Sequence, residues 1–221
     1  MFIALLILLF SHCCILSAQA SPTETIDSPD SLLAIMSNRW EDLQDCTCVM
    51  QTYIKLDDTE QRRIFKYKFK KPKWIKTEIV SGNNVGAEIL YNPIRNKVIA
   101  SAGGMLNFIN VPFSPANARV QSIRGHRMDN NHMGHIIERW IQYADKLTID
   151  LSENDSLIIL STSGIDTMKY HGAYSERLYI VRESLFPRGF EQYDIDGELI
   201  HEVKLNDIKV NVGLCLEDFE M

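Results

Sequence analysis

An α+β domain, built on one large curved antiparallel sheet with two helices packed on its concave side, is the fold class this sequence predicts. Three patterns point to it. Two stretches repeat apolar residues every three or four positions, many shorter ones alternate them every second position, and turn residues join the alternating stretches by connections too short for parallel crossovers.

The first helical stretch opens at Ser28-Pro29-Asp30, with serine as N-cap, proline at the first helical position and an acid in the first turn. Leu32, Leu33, Ile35, Met36, Trp40 and Leu43 continue its stripe to Gln44. The period then changes to two. Strands are predicted at 46–56, 62–70, 74–80, 87–91, 97–101 and 105–111, separated by Pro72, Gly82-Asn83-Asn84, Asn92-Pro93 and Gly103-Gly104. In 62–70 Phe65, Tyr67 and Phe69 share one face and Lys66, Lys68 and Lys70 the other, as a half-buried strand requires.

A second helix, starting near Asn131, carries Met133, Ile136, Ile137, Trp140, Ile141 and Ala144 to about Lys146. Strands resume at 147–151, 157–161, 177–182, 189–194, 199–205 and 208–210, with Asp196-Gly197 as a hairpin turn. There is no internal repeat and no low-complexity tract.

The chain has 221 residues, 45% hydrophobic and 24% charged, the balance of an ordinary globular protein. A formal charge of −6 argues against nucleic acid, since phosphate backbones are bound by clustered Lys and Arg. The first twenty residues hold no Asp, Glu, Lys or Arg, and the apolar run 2–10 resumes at 13–16. Ala18-Gln19-Ala20 supplies the small-x-small pattern of a signal-peptidase site. Residues 1–20 therefore read as a signal peptide, 21–29 as a polar leader and 30–221 as one domain. An uncleaved anchor has nearly the same composition, but the break at Ser11-His12 leaves fewer than the ~20 apolar residues a span needs.

Cys46, Cys48 and Cys215 remain after cleavage. Export permits a disulfide from Cys46 or Cys48 to Cys215, which would close a loop of roughly 170 residues, and reduced buried cysteine is the equal alternative. His132 and His135 lie three apart on a helix face, and His126 or Asp129 would complete a zinc or copper site; the competing reading is a helix entrance rich in capping residues. No Gly-x-Ser-x-Gly elbow, His-Glu-x-x-His or phosphate-binding loop occurs, so the sequence predicts no enzyme, no metal and no cofactor. Lys66, Lys68, Lys70, Lys71, Lys73 and Lys76 read either as a surface for acidic lipid headgroups or as a solvated outer face.

Several blocks resemble a bacterial family of unknown function grouped beside the lipoprotein carrier LolA. They are Cys46-Thr47-Cys48-Val49-Met50-Gln51-Thr52, Phe69-Lys70-Lys71-Pro72-Lys73-Trp74-Ile75-Lys76, Glu88-Ile89-Leu90-Tyr91, Gly125-His126-Arg127, and Gly134-His135-Ile136-Ile137-Glu138-Arg139-Trp140. Phe186-Pro187 and Asn206-Asp207-Ile208-Lys209-Val210-Asn211-Val212-Gly213-Leu214 with Phe219 complete the set, which spans nearly all of the mature chain. The resemblance implies a LolA-like incomplete antiparallel β-barrel of about eleven strands lidded by helices, and an envelope location. It also implies a non-catalytic role in which a lipid acyl chain or a lipoprotein enters a concave apolar cavity. Trp40, Phe65, Tyr67, Phe69, Trp74, Phe108, Trp140 and Phe190 would then contact the ligand. The alternative is an interaction or sensor module for an envelope protein partner, with the same residues filling a dry core, and a metal-dependent enzyme built on the histidines is a distant third.

Overall fold

The computed structural model describes residues 26–103 and 109–221. The predicted signal peptide, the leader as far as Thr25, and Phe108 in the strand expected at 105–111 lie outside the described residues.

The first helix, α1 (Pro29–Asp42), begins where the sequence places it. Ser28 Oγ accepts the Ser31 N–H at 3.2 Å and Ser31 Oγ accepts the Ser28 N–H at 3.0 Å, a reciprocal cap that satisfies donors the first turn leaves free. The strands of the first half are β1 (Asp45–Leu56), β2 (Thr59–Lys70), β3 (Trp74–Ser81), β4 (Glu88–Asn92), β5 (Lys97–Ser101) and β6 (Asn110–Phe113). Helix α2 (Met133–Ala144) interrupts them. The second half is β7 (Asp150–Glu153), β8 (Leu157–Ser163), β9 (Ser175–Val181), β10 (Pro187–Tyr193) and β11 (Leu199–Val210).

All eleven strands form one antiparallel sheet in the order β6-β5-β4-β3-β2-β1-β11-β10-β9-β8-β7. Each wing is a run of sequential hairpins, and the chain's first and last strands pair at the centre, with Cys46 opposite Val210 and Ile54 opposite His201. β6 and β7 do not pair with each other, so the barrel stays incomplete. Pro112 sits in edge strand β6, where a missing N–H costs no ladder bond to an outer neighbour.

The period-two alternation sorts each strand between two faces. Met50, Phe65, Tyr67, Phe69, Ile75, Ile79, Ile158, Leu160, Leu178, Ile180, Phe190 and Val203 face the helices and pack with Leu32, Leu33 and Met36 of α1 and Ile137 and Trp140 of α2 in one core. The outer face carries a small second cluster of Trp74, Leu90 and Phe219, with Ile99, Leu214 and Met221 packed against it.

The C-terminal segment builds this second cluster. Asp45, buried at the start of β1, accepts the N–H groups of Val212, Gly213 and Leu214 at 2.7, 3.2 and 3.1 Å, and a short 3-10 turn at Leu216–Phe219 then lays Phe219 on Trp74.

Three expectations are corrected here. The strands predicted at 199–205 and 208–210 are one strand, β11, because its register with β1 shifts between Thr47 and Val49 and pairing then resumes. β7 runs over Asp150–Glu153 rather than 147–151, since the end of α2 and its connection occupy residues as far as Ile149. Trp74 is not beneath the helices: its neighbour Ile75 takes the inward position, and the alternation turns Trp74 outward onto Phe219.

Candidate functional site

The space between the helix pair and the sheet is where the resemblance puts a ligand, and in this chain side chains occupy it. Phe69 and Trp140 are fully buried there, together with Ile158, Leu160, Leu178 and Ile180. Phe65, Tyr67 and Phe190 are buried in the same core, and Trp40 packs against it while keeping part of its surface in solvent.

The aromatic residues fall into two groups. Trp40 and Phe69 lie 5.0 Å apart between ring centroids, and the His132 imidazole stacks on Trp40 at 5.5 Å and 11°. Tyr67 ties β2 to the entrance of α2 by donating its hydroxyl to the Asn131 carbonyl at 2.8 Å. Trp140 and Phe190 belong instead to a polar cluster at the other end of α2, centred on Glu176.

Glu176 of β9 has no solvent exposure. One carboxylate oxygen accepts from Arg139 Nη2 at 2.7 Å and from Trp140 Nε1 at 2.8 Å; the other accepts from Gln192 Nε2 at 2.8 Å and from the Tyr143 hydroxyl at 3.3 Å. The Arg139 guanidinium also lies 4.8 Å from the centroid of Phe190, and Gln192 continues the chain of bonds to His201 Nδ1 at 3.1 Å. A buried carboxylate is tolerated when a cation and further donors satisfy it, and Glu176 has one cation and three neutral donors. The arrangement joins α2 to β9, β10 and β11. It leaves the carboxylate no free lone pair directed at a substrate.

Sequence reasoning missed Glu176, Arg139, Gln192 and His201, although a signal was present. Glu176 precedes Leu178 and Ile180 at period two, so it has inward parity once β9 is extended back to Ser175. Arg139 sits within the stripe of Ile136, Trp140 and Tyr143 on α2.

The three histidines singled out for metal do not converge. His132 is the N-cap of α2 rather than a helical residue, and its Nδ1 accepts the His135 N–H at 3.1 Å, so the ring folds back over Trp40. His126 lies in a different cluster, 4.4 Å from His201 and 4.6 Å from His171 between ring centroids, with Nδ1 hydrogen-bonded to Ser122 Oγ at 2.9 Å. Among the described residues no group of three or more His, Cys, Asp or Glu side chains is placed to hold a metal ion. Burial keeps these imidazoles neutral: His126 and His132 are pushed down to about 3 and His135 to about 4, while His201 falls well below its ordinary value.

The disulfide reading is also corrected. All three cysteines are free, with Cys46 and Cys48 buried on the helix-covered face and Cys215 exposed on the outer one. The sheet itself stands between the thiols. Burial, with Asp45 beside it, pushes the Cys46 thiol up to about 12, and burial raises Cys48 as well, so neither is a nucleophile.

Most of the lysine cluster is engaged. Lys66 pairs with Glu78 at 3.1 Å, Lys68 with Asp218 at 2.8 Å, Lys71 with Glu41 at 3.7 Å and Lys76 with Glu88 at 3.2 Å. A mainly polar cleft of about 690 Å³ opens near the start of β7, with Lys146, Thr148, Asp150, Ser161, Arg177 and Tyr193 in its wall. Among the described residues no helix is long and apolar enough to cross a membrane.

Among the described residues the architecture is an open, eleven-stranded antiparallel sheet with two helices closed over one face, an incomplete β-barrel. Two solved structures superpose on this fold. An uncharacterised conserved protein from Thermus thermophilus superposes with a TM-score of 0.54 at 11% identity over 85% of this chain and 92% of its own. MucB superposes at 0.51 and 12% over 88% of this chain, which spans only 64% of MucB. A LolA superfamily protein from Nitrosomonas europaea is matched at 0.38 and 12%, over 89% of this chain and 99% of its own. No protein-family model and no curated protein matches the sequence. At such identities the likeness is one of fold alone.

Proposed function

We propose that this protein is a non-catalytic docking module of the cell envelope, which uses the LolA-like frame as a rigid platform for a protein partner rather than as a container. The single observation that carries this is the Glu176 cluster: a fully buried carboxylate with four donors fastens α2 onto the sheet above a core already filled by Phe69 and Trp140. Acyl chains need apolar walls around empty space. The cleft at β7 offers mainly hydroxyl and charged groups instead. The apolar run at 2–16 and Ala18-Gln19-Ala20 support export, with Ser21 as the expected mature N-terminus.

A second reading keeps the carrier role. The helix-covered face is lined by Phe65, Phe69, Ile137, Trp140 and Phe190, and an acyl chain or lipoprotein anchor would lie against it if α2 swung away. That motion has to break the Arg139–Glu176 pair in a dry site.

Native mass spectrometry with organic extraction, on mature protein purified from its own host without detergent, separates the two. A bare polypeptide mass beginning at Ser21 is the expected result. A co-purifying acyl species would overturn the docking reading in favour of the carrier.

A further inference from the structure

The strand register gathers three connections at one end of the sheet centre. Leu56 ends β1 opposite Thr59 of β2, Ile54 stands beside His201 of β11, and Tyr193 of β10 pairs with Leu199 and Ser175. The β1–β2, β10–β11 and β8–β9 turns are therefore neighbours. Arg124 fastens two of them, donating to the Lys55 carbonyl at 2.6 Å and to the His171 carbonyl, and Lys55 reaches Glu198 in the third at 2.7 Å.

Each of these turns presents an apolar side chain to solvent: Leu56 at 38% exposure, Met168 at 94% and Ile195 at 71%. The last two are held out by their turns. Asp166 accepts the Met168 and Lys169 N–H groups at 3.1 and 3.3 Å, and Asp194 accepts those of Asp196 and Glu198 at 3.0 and 2.8 Å. Around the apolar tips stand the exposed carboxylates Asp57, Asp58, Asp166 and Asp196. Three cations stand nearby: Lys55 paired with Glu198, Arg124 bonded to two carbonyls and close enough to Asp57 and Asp194 to interact with both, and Lys169 on Gln142 and the Tyr170 ring, so carboxylates outnumber them. The end thus combines a fixed set of apolar tips with an excess of carboxylates over cations.

We infer that this end of the sheet docks a basic segment of a partner protein, one that places apolar side chains on Leu56, Met168 and Ile195 and Lys or Arg against the surrounding carboxylates. The inference rests on the docking reading above and names the partner's chemistry. Apolar contact sets the affinity, and the charges set orientation and encounter rate. Charge of this sign disfavours an anionic membrane surface. The opposite end is different in kind, with Ile94 at 79% exposure beside Arg95 and Lys97 at the β4–β5 turn, and it serves as an internal control.

The test uses the mature protein and a fluorescein-labelled amphipathic helix of leucine and lysine, beside its leucine–glutamate counterpart, read by anisotropy. The leucine–lysine peptide is expected to bind and the glutamate peptide to fail. Met168→Ser with Ile195→Ser should weaken binding about a hundredfold, roughly tenfold for each side chain, and Ile94→Ser should leave it unchanged. All three changes are at solvent-exposed positions, so thermal unfolding should hold steady as a check on the fold.

Unchanged binding by the double variant, equal binding of the glutamate peptide, or loss on Ile94→Ser would each overturn the inference. So would sedimentation showing that the peptide-free protein self-associates through these residues, because the occupant would then be a second copy. A bare native mass together with any of these results defeats only the placement of the surface. A co-purified acyl species defeats the docking reading itself.

Discussion

Arg139 on α2 and Glu176 on β9 meet at 2.7 Å, with the carboxylate cut off from solvent and the guanidinium nearly so. Thirty-seven residues of chain separate them, and their pairing fixes how the helix lies on the sheet. Removing one member of a buried pair leaves the other charge without a partner, at about 3–5 kcal/mol. Glu176→Ala should therefore lower the unfolding free energy by that amount in urea titrations. Replacing both residues with apolar ones, Arg139→Met with Glu176→Leu, should recover most of the loss. A single variant within about 0.5 kcal/mol of the parent, the usual range for surface changes, would show that the pair does not fasten α2.

The buried histidines give stability a definite dependence on pH. His126 and His201 lie 4.4 Å apart; burial depresses both, and neighbouring His171, Arg139 and Arg124 add to the effect. His132 and His135 are also depressed, to about 3 and about 4. In the folded chain these rings stay neutral well below pH 6, while in the unfolded chain they take protons near the ordinary histidine value of about 6.5. The unfolded state thus binds more protons below that value, and stability falls as pH drops, by up to about 1.4 kcal/mol per pH unit for each of the buried His132 and His201 and by less for the half-buried His126 and His135, whose shifts solvent screens. Above about pH 8 these groups contribute almost no slope. Denaturation midpoints at pH 7.5 and 5 should differ accordingly, with a smaller difference in His201→Gln. A flat profile between those values would contradict the burial of the rings.

How much of this was legible in the sequence follows from what sets each feature. The helix entrances at Ser28 and near Asn131, and the strand at Phe65, Tyr67 and Phe69, rest on local spacing, and the structure has them within a few residues. The face taken by Trp74 was legible, since it shares the outward parity of Lys76 and Glu78 while Ile75 shares that of Ile79; only the cover that the C-terminal Phe219 lays over it could not be read from local spacing. The Glu176 cluster was hidden for a related reason. Its members lie on α2, β9 and β10, and a charged residue at an inward position reads as a strand boundary until its partner is known. Cysteine spacing likewise says nothing about which side of a sheet each thiol occupies, and here the sides differ.

Asp45 organises the C-terminal segment. Its carboxylate accepts three successive backbone N–H groups, from Val212 to Leu214, and the turn beyond brings Phe219 to 6.0 Å from Trp74. Asp45→Ala should cost about 1–3 kcal/mol by removing the charged acceptor shared by these three part-buried N–H groups, and expose Trp74 to solvent. Limited proteolysis should then release a fragment cut after Asn211 while the rest of the domain persists, accompanied by a red shift of tryptophan emission. Equal protease resistance in variant and parent would mean that Phe219 on Trp74 holds the segment without Asp45.

The two helices touch through Gly134, whose position admits no side chain: a Cβ built there would overlap the Trp40 indole. Gly134 is the second residue of α2 and already buried, so the glycine serves close approach rather than an unusual backbone angle. Gly134→Ala improves intrinsic helix propensity by up to ~1 kcal/mol, and overpacking against the indole opposes it by about 1–3 kcal/mol. The clash should win in an otherwise native background, lowering the thermal midpoint. With Trp40→Ala the indole is gone, and the same Gly134→Ala change should become neutral or stabilising, a reversal of sign that a double-mutant cycle reads directly. Additive effects of the two substitutions would instead place the helices further apart than the Trp40 contact allows.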